Sequence, residues 1–195
     1  MAVTLVKGQK IKLEKTPGAE LTAVRMGLGW DVARSGGILG RMFGGEDDSI
    51  DLDASCGMFD ARGGLVDLVW FRQLRSRDGS IRHTGDNLTG AGEGDDESII
   101  VDLERVPAAV QSLVFTVNSY RGQSFDRVEN AFCRLLDHRT GEEVARYQLG
   151  AHGRHTAMVM AKLYRHGGGW KMHAIGEAAL GRTFQEILPA IEPHL

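Results

Sequence analysis

The sequence predicts an all-β protein: a β-sandwich of two mainly antiparallel sheets with short peripheral helices. Three observations predict it. About ten strand-like runs recur at roughly ten-residue spacing, bounded by Gly, Asp, Asn or Ser. The 195 residues include 26 glycines and only 4 prolines, which supplies turns without the composition of a disordered chain. Helical signals are few and short.

The elements follow in chain order. Thr22, Val24, Met26 and Leu28 alternate onto one face of the first clear strand. Next, Ile50, Leu52 and Ala54 share a face, which turns Asp51, Asp53 and Ser55 to the other. Residues 65–71 are nearly all apolar and predict a central strand. Asp78-Gly79 predicts a hairpin turn leading into a strand over 81–84, because such turns need positive φ. Further strands are predicted over 97–103, 112–120, 130–137, 143–149, 156–164 and 169–175, with a hairpin turn at 137–142. One helical turn is predicted over 124–129, and a short helix over 183–191 kinked at Pro189. Residues 35–49 form a long loop carrying Ile38, Leu39, Met42 and Phe43. Its tip either packs back on the sandwich or serves association. No repeat of fixed period stands out, and one domain over 1–195 is expected.

Composition excludes several classes. The net charge of −3, from 23 Lys+Arg and 26 Asp+Glu, leaves no basic footprint for nucleic acid. The concentrated acids lie between Asp31 and Glu97, and Arg and His dominate after Arg121. Cys56 and Cys133 sit in apolar strand-like runs and read as buried free thiols. The first residues hold no apolar leader, and no run approaches the ~20 apolar residues of a membrane span. A cytoplasmic protein without a transmembrane segment is expected.

The segment 85–97, Gly-Asp-Asn-Leu-Thr-Gly-Ala-Gly-Glu-Gly-Asp-Asp-Glu, departs from an ordinary turn. From Asp86 to Glu97 it holds five carboxylates, Asn87 and no basic residue. Crowded carboxylates repel one another. Gly90, Gly92 and Gly94 let the backbone fold tightly and turn carbonyls inward. Acids packed on glycine hinges imply a cation. Six to eight hard oxygens at ~2.3–2.6 Å suit Ca²⁺, whereas Mg²⁺ demands a stricter octahedron. The segment is not an EF-hand, since Leu88 and Gly90 stand where that loop needs side-chain oxygens. Asp51 and Asp53 add two carboxylates on one face of a strand, ~6–7 Å apart. Asp31 ends Gly27-Leu-Gly-Trp-Asp at a strand end and could reach the same pole. That glycine pair opens no helix, so it is not a dinucleotide fingerprint.

On these residues the chain resembles the TerD family, named for tellurite resistance and found in bacterial stress operons. The resemblance rests on 5–8 (Leu-Val-Lys-Gly), 24–31 (Val-Arg-Met-Gly-Leu-Gly-Trp-Asp), 51–55 (Asp-Leu-Asp-Ala-Ser), Asp78-Gly79 and 85–97. It continues in order through 125–131 (Phe-Asp-Arg-Val-Glu-Asn-Ala), 143–149, 156–158, 163–166 and 170–176. It implies a C2-like sandwich binding about two Ca²⁺ ions at one end. The family's acidic signatures fall on Asp31, Asp51, Asp53, Asp86, Asn87, Asp95, Asp96 and Glu97. It also implies cytosolic roles in resistance to tellurite, phage and toxins. Implied partners are other stress-operon proteins at the inner membrane surface, together with self-association into homo-oligomers. The 35–49 insertion and the 176–195 tail depart from the family pattern.

The remaining candidates are weaker. His152 and His155 lack the Glu of a zinc-protease helix, and His166 and His173 flank Gly167-Gly-Gly as surface histidines. No Ser or Cys stands in a nucleophile-elbow context. The expectation is a non-enzymatic module. The alternatives are a metal-dependent hydrolase, whose acids would hold two metals, and a phosphate- or lipid-binding C2-like module.

Overall fold

A computed structural model describes residues 2–16, 18–32, 51–85, 95–150 and 153–195, with backbone only for Val32 and Arg127. In chain order the strands are β1 (Val3–Leu5), β2 (Lys10–Lys12), β3 (Glu14–Thr16), β4 (Ala19–Glu20), β5 (Ala23–Val32), β6 (Asp53–Asp60), β7 (Leu65–Val69) and β8 (Ile81–His83). They continue with β9 (Glu97–Asp102), β10 (Val110–Asn118), β11 (Val128–Asp137), β12 (Glu143–Gln148), β13 (Ala157–His166) and β14 (Gly169–Ala179), then the helix α1 (Leu188–Ile191). A 3-10 turn at Phe125–Arg127 supplies the predicted helical turn, and another follows α1 at Glu192–His194.

The predicted sandwich is present. One sheet runs β1-β12-β11-β5-β9-β8 and the other β2-β14-β13-β10-β6-β7, with β3-β4 as a separate ribbon. Among the described residues only the β1–β12 pair is parallel. Alternation builds the core. Val24, Met26, Leu28 and Trp30 on β5 meet Ala54, Cys56 and Met58 on β6 and Leu113, Phe115 and Val117 on β10. Cys56 and Cys133 are free, buried thiols, and burial pushes both pKa values up, that of Cys133 to about 12.

A second apolar layer lies outside the second sheet. Phe59, Val114, Val159 and Ile175 are covered there by Phe184, Ile187 and Ile191 of the C-terminal segment. Phe184 lies over Gly57, where any side chain would collide with its ring. The sequence predicts a kink at Pro189, but the proline occupies the first turn of α1, where a missing N–H costs nothing.

The apolar run 65–71 is corrected from central to edge strand. β7 pairs with β6 alone, and Leu65 and Val66 are 40% and 41% exposed. A continuous apolar run does not distinguish a strand covered on both faces from one ending a sheet. Asp78-Gly79 turns as predicted, with Gly79 at φ 74° and the Ser76 N–H donating to the Ile81 carbonyl. The 137–142 link closes the β11–β12 hairpin, with Gly141 at φ 75°. Strands β1 to β4 are two or three residues long and mostly exposed, so no alternation announces them. The 35–49 loop lies outside the described residues, and no described helix is long and apolar enough to cross a membrane.

Candidate metal centre

Antiparallel register brings the acidic segments to one end of the sandwich. β5 runs toward Asp31 while β9 begins at Glu97, and Leu28 pairs with Glu97. The Asp96 N–H extends that ladder by donating to the Leu28 carbonyl at 2.7 Å. On the other sheet, β6 begins at Asp53, opposite Asn118 on β10. Glu97 joins the two sheets at this end, its Oε2 accepting the Ala54 N–H at 2.6 Å.

The predicted residues fall into distinct settings. Asp31 and Asp96 line one recess of about 330 Å³ together with Trp30, Asn130, Phe132 and Arg146. Asp96 Oδ2 accepts the Trp30 N–H at 2.9 Å. Burial pushes the Asp96 carboxyl up; the Trp30 hydrogen bond opposes this, and the charges of Asp31 and Asp95 add to it. Asp31 is exposed and accepts from Asn130 Nδ2 at 2.9 Å.

Asp95 is turned away from this recess toward a cation. Its Oδ1 lies 2.6 Å from Arg134 Nε, and its carboxylate covers Gly27, where an added side chain would push it aside. Arg134 also reaches Glu143 at 3.4 Å. Glu97 is buried, with His83 Nε2 at 3.3 Å from the same oxygen that caps Ala54. His83 Nδ1 accepts from the Gly85 N–H at 3.1 Å, which leaves the proton of a neutral ring on the nitrogen facing Glu97. Asp51 and Asp53 are both buried. Arg121 Nε stands 3.4 Å from Asp51 Oδ2, and the Asp51 N–H donates to Gln123 Oε1 at 3.3 Å. Asp86 and Asn87 lie outside the described residues.

Sequence reasoning missed Asn130, Arg134 and His83. Asn130 follows Glu129 at a register shift between β11 and β5, and at φ 50° it is the only non-glycine with positive φ among the described residues. Asn tolerates that conformation better than most residues, and an Asn breaking an apolar strand was the available signal.

The donor set fits a hard cation. Carboxylates and an amide oxygen suit Ca²⁺, and no thiol joins them. Asp31 and Asp96 are like charges sharing one recess, a pairing that a cation would relieve. Among the described residues no group of three His, Cys, Asp or Glu could hold a metal alone. A calcium site at this end would therefore need further oxygens beyond these carboxylates.

The chain has extensive similarity to known proteins. A family described as the TerD domain matches residues 1–189. The tellurium resistance protein TerZ of Serratia marcescens is 52% identical over 185 residues, covering 95% of this chain and 94% of that protein. The stress response protein SCP2 of Bacillus subtilis is 42% identical over 197 residues, covering 96% and 98%. A solved structure of a homologue of the telluride resistance protein TerD from Streptomyces coelicolor superposes with a TM-score of 0.65 at 21% identity, covering 83% of this chain and 92% of that one.

Proposed function

Because the chain belongs to the TerD domain family, we propose that it is a calcium-binding module of the bacterial stress response, acting by binding rather than catalysis. The names of its relatives speak of tellurium resistance and stress. The observation that supports the calcium reading is the Asp31–Asp96 pair, two carboxylates lining one recess in which the charge of Asp31 helps push the Asp96 carboxyl up. Asp31 and Asp96 would hold the ion, with Asn130 beside them and Asp86, Asn87, Asp51 and Asp53 completing this end. Asp95 and Glu97 act as posts: Asp95 is anchored by Arg134, and Glu97 ties β9 to β6. The bound ion would supply positive charge at this end of the sandwich. A surface charged in this way would recruit other stress-operon proteins in the cytoplasm or at the membrane.

Thermal unfolding tests this reading. A ligand confined to the native state adds about 2.7 kcal/mol at 100 times its Kd. That raises the melting temperature of a domain this size by roughly 5–10 °C. Mg²⁺ should raise it less. Asp31→Asn with Asp96→Asn should remove most of the calcium shift and leave the far-ultraviolet spectrum unchanged. A calcium shift of wild-type size in that variant would assign the ion to other residues.

A further inference from the structure

The outer face of the second sheet carries a basic cluster that the acidic end does not use. Register sets it. Lys10 on β2 stands opposite His173 on β14, and His173 stands opposite Lys162 on β13. Directly opposed residues share a face and lie close together, so three basic side chains form one row. Their neighbours Met172 and Leu163 point into the core, which turns His173 and Lys162 outward. The final 3-10 turn adds His194. Its ring centroid lies 6.4 Å from that of His173, and its carbonyl accepts a hydrogen bond from Lys162 Nζ.

No carboxylate stands in this row, which continues as Val114 on β10 and Gly57 on β6. Of the acids nearby, Glu177 is engaged by Lys7 at 3.2 Å and Glu14 by Lys12 at 3.3 Å, and Glu192 is exposed at the start of the 3-10 turn that carries His194. The crowding shows in protonation. Burial, then the charges of Lys10, Lys162 and His194, hold His173 below the usual imidazole range. Burial, then Lys10, lowers Lys162. Burial lowers His194, with Glu177 opposing and Lys162 and Lys7 adding to it.

We propose that this row is a phosphoryl-binding site, in which Lys10 and Lys162 supply charge and His173 and His194 supply N–H donors. Lys162 keeps two N–H groups beyond the one given to His194. A phosphoryl group brings nearly two negative charges and three acceptor oxygens, against one charge and two oxygens for a carboxylate. Two ammonium groups flanked by two imidazoles match the former. Binding favours protonated imidazoles, so affinity rises as pH falls from about 7.5 to about 6. The site lies apart from the acidic end and does not depend on the calcium reading.

The test is a nuclear magnetic resonance titration of the full chain with inorganic phosphate, in chelator and at constant ionic strength set by chloride. The His173 and His194 ring signals should shift with phosphate and not with chloride. Lys10→Met, at an exposed position, should weaken phosphate binding by about fivefold or more, the order expected for one charge near a partly exposed anion. Lys162→Met provides a second variant. Flotation with phosphatidylglycerol vesicles, reversed by phosphate and weakened by Lys10→Met, would place the group on a lipid headgroup. Ring shifts without flotation would assign it to free phosphate. Equal shifts with chloride and phosphate, or binding unchanged by Lys10→Met, would overturn the site.

Discussion

Glu97 on one sheet accepts the backbone N–H of Ala54 on the other at 2.6 Å, with both side chain and amide in the interior. One carboxylate thus fixes the separation of β9 and β6 where the acidic segments meet. Glu97→Ala leaves that buried N–H without its acceptor and removes the carboxylate beside His83, at a cost of about 1–3 kcal/mol. Glu97→Gln keeps an acceptor oxygen and should cost less. Urea unfolding of the two variants beside wild type checks the order.

The Asp95 carboxylate lies where a side chain on Gly27 would go. Gly27→Ala should therefore destabilise by about 1–3 kcal/mol through steric conflict. The same substitution in an Asp95→Ala background should cost less, with a coupling of about 1 kcal/mol or more. A double-mutant cycle by denaturant unfolding measures it, and additive costs would refute the contact.

Much of this was legible in the residues. Period-two alternation in 24–30 and the turn chemistry at Asp78-Gly79 carry the sandwich, and β5 and the β8 turn follow them closely. Part of the acidic end was also legible, since Asp31 and Asp96 line one recess where β5 ends and β9 begins. What was not legible depended on tertiary partners. The edge position of β7 is decided by which strands remain unpaired, not by its own apolar run. Asp95 reads like its neighbour Asp96, yet Arg134, distant in sequence, claims it. Asn130 serves the site through a register shift that no local pattern announces.

Asp67 predicts a pH dependence away from the acidic end. Burial opposes its charge, but hydrogen bonds from the Arg77 N–H, Gln73, the Leu68 N–H and the Arg77 side chain outweigh this and hold its carboxyl below the usual range. A pKa lower in the folded state means stability present above the unfolded carboxyl value and lost as pH falls through the folded one. Asp67→Asn should flatten that acid limb and lower stability at neutral pH. Melting temperatures measured across the acid range compare the slopes.

Asn130 separates backbone from ligand role. Asn130→Gly accommodates φ 50° without strain but removes the amide that reaches Asp31. Stability without calcium should change by only a few tenths of a kcal/mol, while calcium affinity falls. Asn130→Ala should lose both. A glycine variant with full calcium affinity would restrict Asn130 to a backbone role.

The central claim is that the acidic end binds calcium, and isothermal titration calorimetry on the chelator-stripped full chain tests it most directly. The account predicts saturable heat with a stoichiometry of about two ions, weaker heat with Mg²⁺, and loss of at least one ion in Asp31→Asn with Asp96→Asn. No heat at about millimolar calcium, where even weak extracellular-type calcium sites fill, would contradict it.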